Sequence, residues 1–226
     1  MNASKASLAD HIRKWSEFSH ALSIVSLLEA DAVFVHGWGD LFEELLGTVA
    51  EVYRRTNAKH IILNGEPLYD GNGSPGYATW KQALMQQVRI SEDCIHRVTP
   101  ARHTLEEAQG FIVLAEKLQV RRAVVVSVPQ HIGRAFLTDL GVLLARGSNL
   151  HLMPTTVRHI DWYTPITVYG LIHTEHAEQT TRLGRLMAEC ARIMYYRERY
   201  EAGDPAFVIA SIEEGLAHLR AHEPTH

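Results

Sequence analysis

Residues 123–136, AVVVSVPQHIGRAF, constrain the chain more than any other stretch. From Ala123 to Val128 the side chains are apolar except for Ser127, and most are β-branched. A strand covered on both faces within a parallel sheet has this composition. Pro129 has no N–H to give to a ladder, so the strand is predicted to stop there. From Ile132 onward, Ile132, Ala135, Phe136, Leu140 and Leu143 follow helical spacing. The segment is a strand, a tight turn and a helix, with Ser127, His131 and Arg134 gathered at the strand's carboxyl end. Open α/β sheets bind their ligands along that edge.

The remainder alternates in the same way. A helix opens the chain, marked by Leu8, Ile12, Trp15, Leu22, Val25 and Leu28. Residues 31–36 (DAVFVH) form a first strand, then Gly37-Trp38-Gly39-Asp40 turns into a helix carrying Leu41, Leu45, Val49 and Val52. A short strand at 60–63 ends at Asn64-Gly65-Glu66, and a turn-rich loop leads to a helix with Tyr77, Trp80, Leu84 and Val88. Further strands are read at 94–98 and 149–153, with a helix from Thr104 between 94–98 and the central strand.

The pattern predicts an α/β fold. It is a Rossmann-like, doubly wound parallel sheet of about five strands with helices on both faces. One domain is expected over 1–226, with its core at 31–153 and a helical extension at 171–222. Residues 154–170 read as irregular. A long helix is expected over 173–200, its apolar side Leu183, Leu186, Cys190, Ile193 and Met194, and a last helix over 207–219. These two either close the sheet edge or form the face of a homodimer.

Composition narrows the partners. A net charge of −4 and a pI near 6.4 provide no basic field, which argues against nucleic acid. No run approaches the ~18 apolar residues of a membrane span, and charged residues interrupt the N-terminal segment. The two cysteines, Cys94 and Cys190, fit neither a CxxC nor a zinc spacing and read as free thiols. The expectation is a cytoplasmic protein with no membrane partner.

Several positions allow more than one chemistry. Gly37 and Gly39 follow a strand and precede a helix, either as a plain turn or as a close backbone approach to a ligand. Phe42 stands where a dinucleotide fingerprint needs its third glycine. Gly71, Gly73 and Gly76 match that spacing, but Pro75 lies inside it and seven residues separate it from the strand, so it reads as a loop. Asp40 caps the next helix or binds a ligand hydroxyl. Glu66 either accepts from a sugar hydroxyl or is an ordinary loop carboxylate.

Thr104 and Glu107 fit a capping box, while the same helix start beside Arg102 and His103 favours an anion. His131 and Arg134 lie three apart, so one helical turn presents both to the same side. There they serve as general base and anion clamp, or as a histidine on a neighbouring carbonyl and a surface arginine. His36, Asp40 and His131 are a further candidate group for a metal, although no HxH or HExxH spacing supports it.

These motifs resemble the YdcF-like family, a domain shared with SanA and ElyC, over about residues 31–153. The match rests on Asp31-Ala32-Val33 with Gly37, and on Ala101-Arg102-His103-Thr104 followed by Glu106-Glu107-Ala108. Ser127 with His131, Arg134 and Ala135 completes it. Asn64-Gly65-Glu66 replaces the family's serine-glycine-glycine, and His103 and Glu107 stand where the family has asparagines. The resemblance implies a Rossmann-type domain, and one branch of the family is reported to bind S-adenosylmethionine. Other members carry a membrane anchor that this sequence is not expected to have.

The sequence therefore sets three expectations. The first is a small-molecule enzyme for a nucleotide-like or other anionic ligand, S-adenosylmethionine or a sugar phosphate, performing group transfer or hydrolysis without a metal. Its expected catalytic residues are His131 and Glu66. Its expected binding residues are Gly37, Gly39, Asp40, Asn64, Gly65, Arg102, His103, Thr104, Glu107, Ser127 and Arg134. The second is a non-catalytic ligand sensor, and the third a metal-dependent hydrolase.

Overall fold

The computed structural model describes residues 8–37, 40–64, 75–99, 101, 103–169 and 177–221. Five strands form one all-parallel sheet: β1 (Ala32–Val35), β2 (His60–Leu63), β3 (Ile95–Arg97), β4 (Arg122–Ser127) and β5 (His151–Thr156). Their order is β3-β2-β1-β4-β5. The chain winds outward from β1 to β3, then crosses back to place β4 on the other side of β1. That reversal is the topological switch point, where a crevice opens beyond the carboxyl ends of the strands. The sheet is the doubly wound, Rossmann-like arrangement expected.

Two apolar layers hold it. On one face Phe34, Ile62, Val125 and Leu152 pack against α1 (Leu8–Ser23), α4 (Thr104–Lys117), α5 (Ile132–Arg146) and α7 (Ile212–Arg220). On the other, Val33, Ile61, Val124 and Met153 meet α2 (Phe42–Thr56) and α3 (Gly76–Ala83), which runs on as a π-type turn at Leu84–Val88. Strand β4 is buried from Ala123 to Ser127, as its unbroken apolar run requires. Phe34 of β1 stacks on Phe111 of α4 with ring centroids 4.0 Å apart.

The C-terminal third differs from its sequence reading. Strand β5 continues through Pro154 to Thr156; it is an edge strand, where a residue without an N–H is tolerated. The stretch read as irregular holds β6 (Pro165–Tyr169), which pairs antiparallel with β7 (Ala177–Thr181). The long helix accordingly begins later, as α6 (Arg182–Glu201), capped by Thr181, whose hydroxyl accepts from Gly184 N–H. Its expected apolar side is only partly its buried one, Ile193 being common to both. Arg182, Arg185, Ala188, Glu189 and Ile193 face inward, while Leu183, Met187 and Met194 are exposed. The opening helix ends at Ser23, short of Val25 and Leu28.

Cys94 and Cys190 are both free. Among the described residues no helix is long and apolar enough to cross a membrane.

Candidate functional site

Polar side chains buried at the carboxyl edge form three linked groups. The first is centred on His36, which follows β1 and is fully buried. Its Nδ1 lies 2.9 Å from Glu107 Oε2 and its Nε2 2.9 Å from Asp139 Oδ2. Burial opposes charge on the ring. Asp139, by charge and hydrogen bond, and Glu107 outweigh it and hold the pKa up to about 10. Both ring nitrogens therefore donate, and His36 is an imidazolium. Burial raises the Asp139 carboxyl, against the pull of His36.

Glu107 also collects donors from the ends of β1 and β2. Its Oε1 accepts from Gly37 N–H at 2.9 Å and from Asn64 Nδ2 at 2.6 Å. Gly37 has no room for a side chain, since a Cβ would stand 3.0 Å from both Asn64 Nδ2 and Glu107 Oε1. The close approach there is to the protein's own carboxylate. The capping box read at Thr104 does not form: His103 is the N-cap, its Nδ1 accepting from Glu106 N–H. The buried imidazolium and two donors draw Glu107 inward, and such charge-assisted bonds exceed one capping bond.

The second group surrounds His131, 2 % exposed. Its Nδ1 is 2.9 Å from Ser127 Oγ and its Nε2 3.2 Å from Thr104 Oγ1. Burial first, then the positive charges of Arg134, His36, Arg185 and Arg192, push its pKa well below 6.5. The ring is neutral, so one nitrogen accepts a hydroxyl proton, from Ser127 onto Nδ1 or from Thr104 onto Nε2. Arg134 NH1 donates to the same Thr104 oxygen at 2.9 Å. Arg134 is buried, not a surface arginine, and its Nε donates to Glu189 of α6. Arg185 (2.7 Å) and Arg192 (3.4 Å) reach the other oxygen of Glu189. Burial would raise that carboxyl, but the three arginines bring it below its usual range.

The third group ties α6 to the loop after β1. Arg182 grips Asp40 with two bonds, Nε to Oδ2 at 2.9 Å and NH2 to Oδ1 at 2.7 Å. Gln130 Nε2 donates to the same Oδ2 at 3.1 Å. Asp40 is thus not a helix cap; Leu41 occupies the cap position of α2 with no side-chain bond.

Of the expected residues, Gly37, Asn64 and Glu107 meet in the first group, Thr104, Ser127, His131 and Arg134 in the second, and Asp40 in the third. His103 stands exposed at the start of α4. Gly39, Gly65, Glu66 and Arg102 lie outside the described residues, as do Gly71 and Gly73. The metal trio is not assembled, because both nitrogens of His36 are on carboxylates and Asp40 is on Arg182. Among the described residues no group of three or more His, Cys, Asp or Glu is placed to hold a metal.

Sequence reasoning passed over Gln130, Asp139, Arg182, Arg185 and Glu189. For Asp139 a signal existed: it lies among the apolar residues of a buried helix, between Phe136 and Leu143. A carboxylate there requires a buried partner.

Among the described residues, the buried oxygens Asn64 Oδ1, Gln130 Oε1 and Asp139 Oδ1 have no hydrogen-bond partner. Each such acceptor costs about 1–3 kcal/mol unless something else satisfies it. Comparison with family models and with curated proteins finds no match to this chain.

Proposed function

We propose that the protein is a small-molecule enzyme whose nucleotide-like or other anionic ligand sits at the switch point, over the carboxyl ends of β1 and β4. The observation that carries this reading is the neutral His131, buried beside Ser127 and surrounded by Arg134, Arg185 and Arg192. A base without a proton in a positive field suits proton abstraction next to a bound anion. Group transfer or hydrolysis follows from that pairing, with His131 moving the proton. The likeness to the YdcF-like family makes S-adenosylmethionine the first compound to test, followed by nucleotides and sugar phosphates.

A second reading, a ligand sensor without turnover, is favoured by one feature. Ser127 and His131 are buried, and both ring nitrogens of His131 already face hydroxyls. Thermal denaturation tests the common ground. A ligand at a hundredfold excess over its Kd adds ~2.7 kcal/mol, a melting shift of roughly 5–10 °C for a chain of this size. Mass spectrometry of small molecules retained by the purified protein identifies the compound, and its conversion or recovery unchanged separates enzyme from sensor. If no compound of these classes shifts the melting temperature, the reading fails.

A further inference from the structure

A cavity of about 200 Å³ lies beside the carboxyl ends of β4 and β5. Trp15 of α1, Gln130, Gly133, Arg134, Trp162 and Glu189 of α6 are in its lining. It is smaller than the ~300–1,000 Å³ of pockets that hold drug-sized ligands, and mostly apolar, which suits one ring system. Two indoles stand in its wall. Trp15 is set close by Gly133, where a Cβ would come within 3.0 Å of the indole Cη2.

Arg134 and Glu189 in the wall are paired with each other, and beside them stands Gln130, 1 % exposed. Its orientation is fixed chemically, since only the amide nitrogen can donate to Asp40, and Arg182 holds Asp40 in place. The other amide atom, Oε1, is left as a buried acceptor with no donor. Aromatic walls and one oriented acceptor without a partner define a narrow class of occupant. A flat ring gains from stacking on indole, and an N–H on that ring completes Gln130.

We propose that this cavity is a subsite for a planar heteroaromatic ring bearing an N–H donor, as in an amino-substituted nucleobase, with Gln130 Oε1 accepting its hydrogen bond. The proposal rests on the reading of the carboxyl edge as a ligand site and specifies which part of the ligand lies next to α1.

Calorimetric titration of the full chain with adenosine, purine riboside (the same nucleoside without its amino group) and ribose 5-phosphate tests it. Adenosine is expected to bind at least tenfold more tightly than purine riboside. Gln130→Leu should bind the two equally, and Trp162→Ala should weaken both by tenfold or more. A tenfold preference that survives Gln130→Leu overturns the assignment of the acceptor. If that variant does not fold, undiminished nucleoside binding by Trp162→Ala overturns the subsite. Ribose 5-phosphate binding with no response to either nucleoside overturns the ring subsite alone, whereas silence from all three probes overturns the carboxyl-edge reading with it.

Discussion

His36 and His131 lie side by side, ring centroids 5.7 Å apart, both buried, and their surroundings drive them to opposite charge states. His36 faces Glu107 and Asp139 and keeps a proton up to about pH 10. His131 faces two hydroxyls and a row of arginines and stays neutral well below pH 6.5. Desolvation works against the charged form of each, so burial alone cannot separate them; the partner set does. One ring is a fixed cation in a group that ties the ends of β1 and β2 to α4 and α5, and the other is a base held ready beside a serine.

The largest test of the difference removes a carboxylate. Glu107→Ala leaves the His36 cation with one partner fewer and strips Gly37 N–H and Asn64 Nδ2 of theirs. Breaking a buried ion pair in this way costs about 3–5 kcal/mol, measured by denaturant unfolding. A loss below about 1 kcal/mol would mean that His36 is not charged.

The pH dependence of stability comes next. The folded pKa of His36 is raised from 6.5 to about 10, so its contribution is complete below pH 6.5 and is lost as pH rises through 10. His131 has the opposite sign: its pKa is lowered, so its contribution is present above 6.5 and is lost as pH falls below that value. The hydrogen-bonded pair His60 and His96, also lowered, adds to this acid limb, as does Glu189 below 4.5. Asp139, raised, works against it from 3.8 upward. His36→Gln should flatten the loss of stability between pH 6.5 and 9, and His131→Gln should leave that limb intact. An unchanged alkaline limb in His36→Gln would contradict the assignment.

The smallest expected effect lies on the neutral side. Ser127→Ala removes one hydroxyl from an uncharged ring that still has Thr104, a loss of about 0.5–1.5 kcal/mol. Retained ligand binding with lost turnover would identify Ser127 and His131 as reactive groups; retained turnover would give Ser127 a structural role alone.

The sheet was legible in the sequence because buried parallel strands announce themselves as apolar runs and their helices by period. The residues flanking the strand ends were legible for the same reason: β4 and its turn placed Ser127, His131 and Arg134 together. What escaped was decided by charge. On α6 Arg182, Arg185 and Glu189 face inward beside Ala188 and Ile193, so an apolar-periodicity reading found Ile193 but rotated the rest of the face. Arg185 and Glu189 are an i,i+4 pair on the helix itself, but the pair is buried against Arg134 of α5, 55 residues from Glu189, and Arg182 against Asp40, 142 residues away. No local pattern carries partners so distant along the chain. Likewise Glu107 has capping-box spacing, and only the folded position of His36 takes it away from the helix end. The β6–β7 pairing was hidden by short strands of mixed polarity, which lack the unbroken apolar run of β4.

The most direct test is a ¹⁵N NMR titration of the histidine side chains, with His36 and His131 assigned by single substitution. One ring should remain an imidazolium from pH 6 to 9 and begin to lose its proton only toward pH 10, and the resonance lost in His36→Gln should be that one. The resonance lost in His131→Gln should report a neutral ring throughout that range and take up a proton only well below 6.5. Two buried histidines titrating together near 6.5 would contradict the account, because the carboxylates and arginines at this edge would then not be setting their charge.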